Sequence, residues 1–448
     1  MTNRLYWTRG WRGAGLWLAV AGLGIAAAAQ ERGNTSFAPE PPSAQHERAD
    51  SLAGKPSLPP AFTLPVEPLG FSAPGPIYLG QQYSLASLDF LDENHLLFTF
   101  RVPGLIHRER GAGDEETGEH HVRALVLEVS TGAAQAETVW TLHDRERYLW
   151  VLRDGHFLLR DGNTLQQGDA TLSLKPMLHF PGPLLSVEVD PTQQFLVTNS
   201  REPVAAAAKP GDVASPATAA ANVTVDGKKP SAQTDVVLRI LHRDTGQVML
   251  VAHLAGQIRL PINNEGYLES VHIAGARWLV NLNHFTGGST LAGKLDSACS
   301  PGLEFIAPRE VLASTCDAEG ERSLVAMDGE GLHLWEETAP DTQVWPRMVM
   351  APNGLRLARE SLVVNHPVDA SHPFAREDVK GQIVEVFDAA NGQAVLTAPA
   401  SPVLDAGGNV AISPTARRVA VLNAGTIQVF ELPAPPPLPQ AAAKPPGR

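Results

Sequence analysis

The sequence lacks the short motifs that fix a chemistry. It has no Gly-x-Ser-x-Gly, no His-Glu-x-x-His, no Gly-x-x-x-x-Gly-Lys-Ser/Thr phosphate loop and no Cys-x-x-Cys, so nucleophile-elbow, zinc-protease, nucleotide and thiol-redox readings are left without their signatures. Positive charge is also short. Thirty-five Lys and Arg stand against 48 Asp and Glu, and the formal net charge of −13 argues against a nucleic-acid surface or a docking face for anionic lipid. Beyond the N-terminal segment, no apolar run approaches the roughly 20 residues that span a bilayer, so no membrane insertion of the mature chain is expected. Cysteine is limited to Cys299 and Cys316.

The N-terminus has a composition of its own. Arg4, Arg9 and Arg12 give a basic start, residues 14–28 are apolar, and Ala27-Ala28-Ala29 has the small-x-small form of a cleavage site. Residues 1–29 read as a signal peptide, which predicts an exported protein, periplasmic or secreted; the competing reading is an uncleaved anchor. Gly22-Leu23-Gly24-Ile25-Ala26-Ala27 matches a dinucleotide-binding fingerprint, but no strand precedes it and it lies in the apolar leader. Residues 30–76 hold ten prolines with Ser, Glu and Gln and few large apolar side chains, which predicts a disordered linker. The Ala, Pro and Lys run 204–231 reads as a disordered insert, and 433–448 as a disordered Pro/Ala-rich tail.

Proline and glycine are plentiful, 37 and 39 residues, and they are placed periodically. Proline turns occur at Asp190-Pro191-Thr192-Gln193, Ala307-Pro308-Arg309-Glu310, Ala351-Pro352-Asn353-Gly354 and Ser413-Pro414-Thr415-Ala416, each between apolar strands. Proline presets φ for the second position of a tight turn. A second turn, ending in Thr131-Gly132, Thr245-Gly246 or Asn391-Gly392, follows a β-branched strand, and glycine supplies the positive φ that hairpins need. The two turn types alternate. The repeating unit is therefore a four-stranded meander with a proline turn after its first strand and a glycine turn after its third.

This pattern resembles WD40-like or YVTN-type β-propeller blades, with residues 410–432 the clearest copy. The Gly-His and Trp-Asp pairs of eukaryotic WD40 repeats are missing; Leu334-Trp335-Glu336 comes nearest. Residues 142–150 also resemble exported bacterial propeller proteins of unknown function. The resemblance implies an all-β propeller over 77–432, with blades at 84–142, 148–180, 183–253, about 257–295, 302–337, 345–398 and 405–432. At roughly 40 to 45 residues per blade this makes seven four-stranded blades. The last blade has only three strands of its own, so an N-terminal strand at residues 77–82 is expected to pair with 426–431 and close the ring.

Two clusters offer candidate chemistry. Asp114, Glu115, Glu116 and Glu119 beside His120 and His121 gather carboxylates of the kind that hold a hard cation, but their spacing matches no known loop and a solvated acidic loop reads better, so no metal site is assigned. His143, Asp144, Arg145, Glu146 and Arg147 contain an acid–base pair, weighed against an interblade ion network. No catalytic or binding residue and no cofactor is predicted. Pairing about the Pro308 turn sets residue 306 opposite 311 and brings Cys316 near Cys299, which allows a disulfide; two free thiols are the alternative. The function expected is an exported, non-catalytic binding or scaffold protein that engages a protein, peptide or glycan at a propeller face. The alternative is a propeller enzyme, a hydrolase or lyase acting on an extracellular polymer. Three or more ionisable side chains converging at the channel would favour the enzyme.

Overall fold

The computed structural model describes residues 55–75, 83–102, 108–109, 117–144, 146–203, 234–368 and 374–436. Seven antiparallel sheets follow one another along the chain as the blades of a propeller. Blade 1 comprises Ala86–Phe90, His95–Arg101, His120–Glu128 and Ala134–Leu142. Blade 2 comprises Leu149–Val151, Phe157–Asp161, Thr164–Gly168 and Leu174–His179. Blade 3 holds Leu184–Val189, Phe195–Pro203, Thr234–His242 and Val248–Leu254. Blade 5 holds Gly302–Ala307, Glu310–Cys316, Arg322–Asp328 and His333–Ala339. Blade 6 holds Gln343–Met350, Arg356–Val364, Val379–Asp388 and Ala394–Ala400.

All four proline turns join a first strand to a second, and the three glycine turns join a third strand to a fourth. Local chemistry thus sets the meander. In three of the four proline turns the fourth position is left-handed, with φ of 73° at Gly354 but also 60° at Gln193 and Ala416. Two non-glycine residues accept this conformation, which side chains disfavour. At Ala416 the reason is visible, because its carbonyl accepts a 2.6 Å hydrogen bond from the buried Arg356 of blade 6.

Blade 4 has three regular strands, Gly266–Ala274, Arg277–His284 and Ser289–Asp296. Its inner position is taken by the irregular segment 257–263, tied by the single bridge Ile262↔Tyr267 and by bonds from Leu268 N to Pro261 O and Asn263 N to Gly266 O. Pro261 removes a donor from this segment, which explains why no regular strand forms there.

Blade 7 contributes Val410–Ile412, Arg418–Asn423 and Thr426–Glu431, and an N-terminal strand completes it. That strand is Phe62–Pro65, paired Phe62↔Val429 through Pro65↔Thr426, rather than 77–82. Residues 77–82 lie outside the described residues. Described structure, with a strand at Phe62–Pro65, therefore lies inside the segment that composition assigns to a linker. Leu64 and Val66 are buried, and Phe71 packs edge-on against Phe98 and Phe100 at 5.4 and 5.5 Å. Pro65 is tolerated because this is an edge strand at its last residue. Upstream, Pro56 O accepts a hydrogen bond from Thr397 N on the outer strand of blade 6. The core lies between neighbouring blades, and its largest cluster joins the closing strand and blade 7 to blade 1.

Candidate functional site

Six of the seven blades place an ionisable side chain at the axis, from the inner strand or the segment beside it. In blade 1, Leu88 and Phe90 face the core, so Asp89 between them turns the other way. Glu188 stands in the same relation to Val187 and Val189 in blade 3, and Glu304 to Leu303 and Phe305 in blade 5. The even blades carry arginine: Arg147 ahead of the inner strand of blade 2, Arg259 on the irregular segment of blade 4, and Arg347 in blade 6. Read around the ring, the sign alternates from blade 1 to blade 6. Blade 7 breaks the series with Val410-Ala411-Ile412.

These groups converge on one another. Arg147 of blade 2 feels the charges of Asp89, Glu304, Arg259 and Glu188, which come from blades 1, 5, 4 and 3. Such reach across the ring is possible only if the side chains project to its centre. Arg259 Nε lies 3.9 Å from Glu188 Oε1, Ser87 Oγ donates to Asp89 Oδ2 at 2.5 Å, and Arg147 Nε donates to Leu149 O at 3.2 Å with its guanidinium over the Trp150 ring. Behind Arg347 stands the fully buried Glu360, its cross-strand partner. Glu360 Oε1 accepts from Gln382 Nε2 at 2.8 Å, and Arg347 Nε points to Asp405 O at 3.4 Å.

Asp89, Glu188 and Arg347 are half-buried and Arg147, Arg259 and Glu304 are exposed toward the open axis, so the surrounding ring of protein displaces only part of the water around them, and this shifts their protonation. Desolvation raises Asp89 to about 6, against the opposing pull of the Ser87 hydrogen bond and Arg147. It raises Glu304 to about 7, helped by the charge of Glu188 and opposed by Arg259 and Arg147. Glu188 is raised and Arg147 and Arg347 are lowered, in each case chiefly by desolvation. Asp89 and Glu304 are thus the axial carboxyls whose protonation lies nearest neutrality.

The candidates drawn from the sequence lie elsewhere. Asp114, Glu115 and Glu116 fall outside the described residues. Glu119 Oε1 stands 3.9 Å from His143 Nε2, and His121 Nδ1 faces Thr141 Oγ1 at 3.3 Å. Among the described residues no three His, Cys, Asp or Glu gather as metal ligands. The 143–147 run divides in two. His143 Nδ1 and backbone N both meet Asp161 Oδ1, while Asp144 accepts from Gly162 N and lies 3.4 Å from Arg160, so these two tie blade 1 to blade 2. Arg147 instead turns to the axis.

Cys299 and Cys316 have their sulfurs at bonding distance, with Cα atoms 5.7 Å apart. The register differs from the simple hairpin, because a bulge at Ile306 sets Phe305, not 306, opposite Val311. Cys316 then falls closer to Cys299. A polar hollow lined by His156, Gln167, Asp169, Ser173 and Lys175 lies at the third and outer strands of blade 2, away from the axis.

Sequence reasoning missed five of the six axial residues. The signal was there: a single acid between large apolar residues in the inner strands of blades 1, 3 and 5 (Leu-Asp-Phe, Val-Glu-Val, Leu-Glu-Phe), and Ile258-Arg259-Leu260 in blade 4. It becomes visible only once the blades are aligned.

No protein-family model matches the sequence, nor does any curated protein. Solved structures of similar fold include the acylaminoacyl peptidase of Pyrococcus horikoshii (9% identity over 79% of this chain and 52% of that one, TM-score 0.43). They also include the WD40 domain of Toxoplasma gondii coronin (9%, 79% and 89%, TM-score 0.40) and TolB of Acinetobacter baumannii (13%, 74% and 76%, TM-score 0.33). The fold is a seven-bladed β-propeller. The chain spans about half the length of the peptidase it matches, and at these identities the likeness extends to fold alone.

Proposed function

We propose that the protein is an exported, non-catalytic β-propeller that binds a polar partner at its axis and the adjoining loops. The observation that supports this is the axial belt, which six blades build and which alternates acid with arginine. Charge opposite charge suits recognition of a polar group without driving a reaction, because each carboxylate already has a guanidinium in its field. A protein, peptide or glycan presents such groups. The leader sequence supports export. The test is a pull-down from the native envelope fraction with a chain starting at residue 30, comparing the natural sequence with Glu304→Lys, which breaks the alternation. A partner recovered intact with the natural chain and lost with the variant is the expected result. A partner held equally by both overturns the axial site.

A second reading, a hydrolase or lyase acting on an extracellular polymer, draws on Asp89 and Glu304. Acids poised at about 6 and about 7 suit general acid catalysis near neutral pH. It predicts turnover of the captured polymer that Glu304→Gln abolishes; unchanged polymer after prolonged incubation rules it out.

A further inference from the structure

We propose that Arg147, Arg259 and Arg347 form a binding site on the propeller axis for an oxyanion, a carboxylate or phosphate group carried by a small ligand. The proposal rests on the reading that the axis is where this protein binds. The three arginines come from blades 2, 4 and 6, so their guanidinium groups approach the axis from three sides. Arg259 lies in the field of both others, and each lowers the stability of its neighbour's charge. An anion between them relieves that repulsion.

The belt is not a closed lattice of ion pairs. Where this chain uses arginine structurally, it makes short contacts: within blades, Arg356 to Asp388 at 2.7 Å, Arg359 to Glu385 at 2.8 Å and Arg239 to both oxygens of Glu202, and between blades 6 and 7, Arg356 to Ala416 O at 2.6 Å. At the axis the bonds are few. Arg147 uses only Nε, toward a backbone carbonyl; Arg347 likewise; and Arg259 Nε stops 3.9 Å short of Glu188. Among the described residues their Nη nitrogens donate no hydrogen bond. Glu188 Oε1 is buried without a hydrogen-bond partner, and Arg259 has 81% of its side chain exposed. Guanidinium groups with unused parallel N–H pairs are the natural receptors for carboxylate and phosphate. The acids between them shape the site, since a carboxyl that keeps its proton donates to the anion while an ionised one repels it.

The test is calorimetric titration of inorganic phosphate, and separately of tricarballylate, into the full chain at pH 8. The natural protein, Arg259→Ala and Glu304→Gln are compared. Arg259 is exposed, so its loss leaves the unliganded melting temperature unchanged. The expected result is one saturable site per chain, weakened about tenfold or more by Arg259→Ala, the effect of losing one charge-assisted contact. Glu304→Gln should tighten it by removing a competing carboxylate. Whichever probe binds more tightly identifies the group recognised. No saturable binding of either probe, or equal binding by Arg259→Ala, overturns the proposal. If Arg259→Ala loses the anion yet still captures the envelope partner, the anion site stands and the partner binds elsewhere.

Discussion

Where blade 7 meets blade 1, eighteen buried apolar side chains form one cluster, from Leu64 and Phe71 of the N-terminal segment to Phe98, Leu422 and Val429. Arg418 Nη1 donates to Glu93 O, and Thr415 N to Glu93 Oε1, both at 2.7 Å. Where blade 3 meets blade 4, the corresponding cluster has five buried members: Phe195, Val197, Leu238, Ile240 and Ile262. On the blade 3 side Leu250, Ala252 and Leu254 are only half covered, and on the blade 4 side Val271 and Leu291 are exposed. The difference follows from connectivity. Blades 3 and 4 are joined by a short piece of chain, so they stay adjacent whatever their contact. Blades 7 and 1 are brought together by the closing strand and by packing, and the ring opens if these fail. Burial is concentrated where the backbone gives least help.

Deleting residues 56–71 attacks the strong seam directly and should have the largest effect. It removes Leu64, Val66 and Phe71 from the core and exposes the edge of Thr426–Glu431. At about 2–5 kcal/mol for each large side chain lost, the cost exceeds roughly 6 kcal/mol. The melting temperature should fall by ~10 °C or more, or the chain should aggregate. An unchanged melting curve would refute this account of closure. Next is Arg356→Ala, on the adjoining seam between blades 6 and 7. Arg356 is fully buried and bonds Asp388 and Ala416 O, so truncation leaves an unpaired buried carboxylate and should cost about 3–5 kcal/mol in urea unfolding.

The legible parts of this fold were local ones. Proline and glycine turns act over four residues, so the meander and its strand order could be read from their spacing, and the resemblance to propeller repeats of roughly 40 to 45 residues then set the blade count. The closing strand could not, because Phe62-Thr63-Leu64-Pro65 sits among prolines and becomes a strand only through a partner some 360 residues away. The axial belt escaped for the same reason: Asp89 and Arg147 belong to different meanders, and only the ring brings them together.

Cys299 and Cys316 join the connection entering blade 5 to the end of its second strand. A bond there closes a loop of 17 residues in separation and should contribute on the order of 3 kcal/mol. Mass analysis after alkylation without reductant checks it. Two alkylated thiols in protein secreted natively would exclude the bond, and paired Cys→Ser substitution should lower stability by about that amount if it forms.

Glu360 gives the strong side a pH dependence. Burial raises it from its ordinary 4.5 to about 7. Above pH 7 it is ionised in both folded and unfolded chains, and the folded state bears the cost of a buried charge. Between pH 7 and 4.5 the folded chain takes up the proton first, so this residue's contribution to stability rises on acidification across that window and then levels. Glu360→Gln should remove this slope and gain about 1–3 kcal/mol at pH 8. Identical slopes in the two proteins would show that Glu360 titrates normally.

The weak seam is the place for the smallest effect. Val271 shares a face of its strand with Tyr267, which packs into the blade 3–4 cluster, and Leu291 lies on that face through the pairs Asn281↔Leu291 and Glu269↔Asn281. Both side chains point toward blade 3 yet stay 38% and 47% exposed, so the outer half of this seam is splayed. Replacing either with serine removes little buried surface and should change stability by less than about 0.5 kcal/mol. Leu422→Ala, in the strong cluster, should cost about 2–5 kcal/mol. Hydrogen exchange adds the dynamic side of the contrast: amides of Val248–Leu254 and Gly266–Ala274 should exchange through local opening, well before those of Arg418–Asn423, which open only with the whole ring. Equal protection on the two sides, or a serine at 271 as damaging as an alanine at 422, would show the two seams to be equally strong.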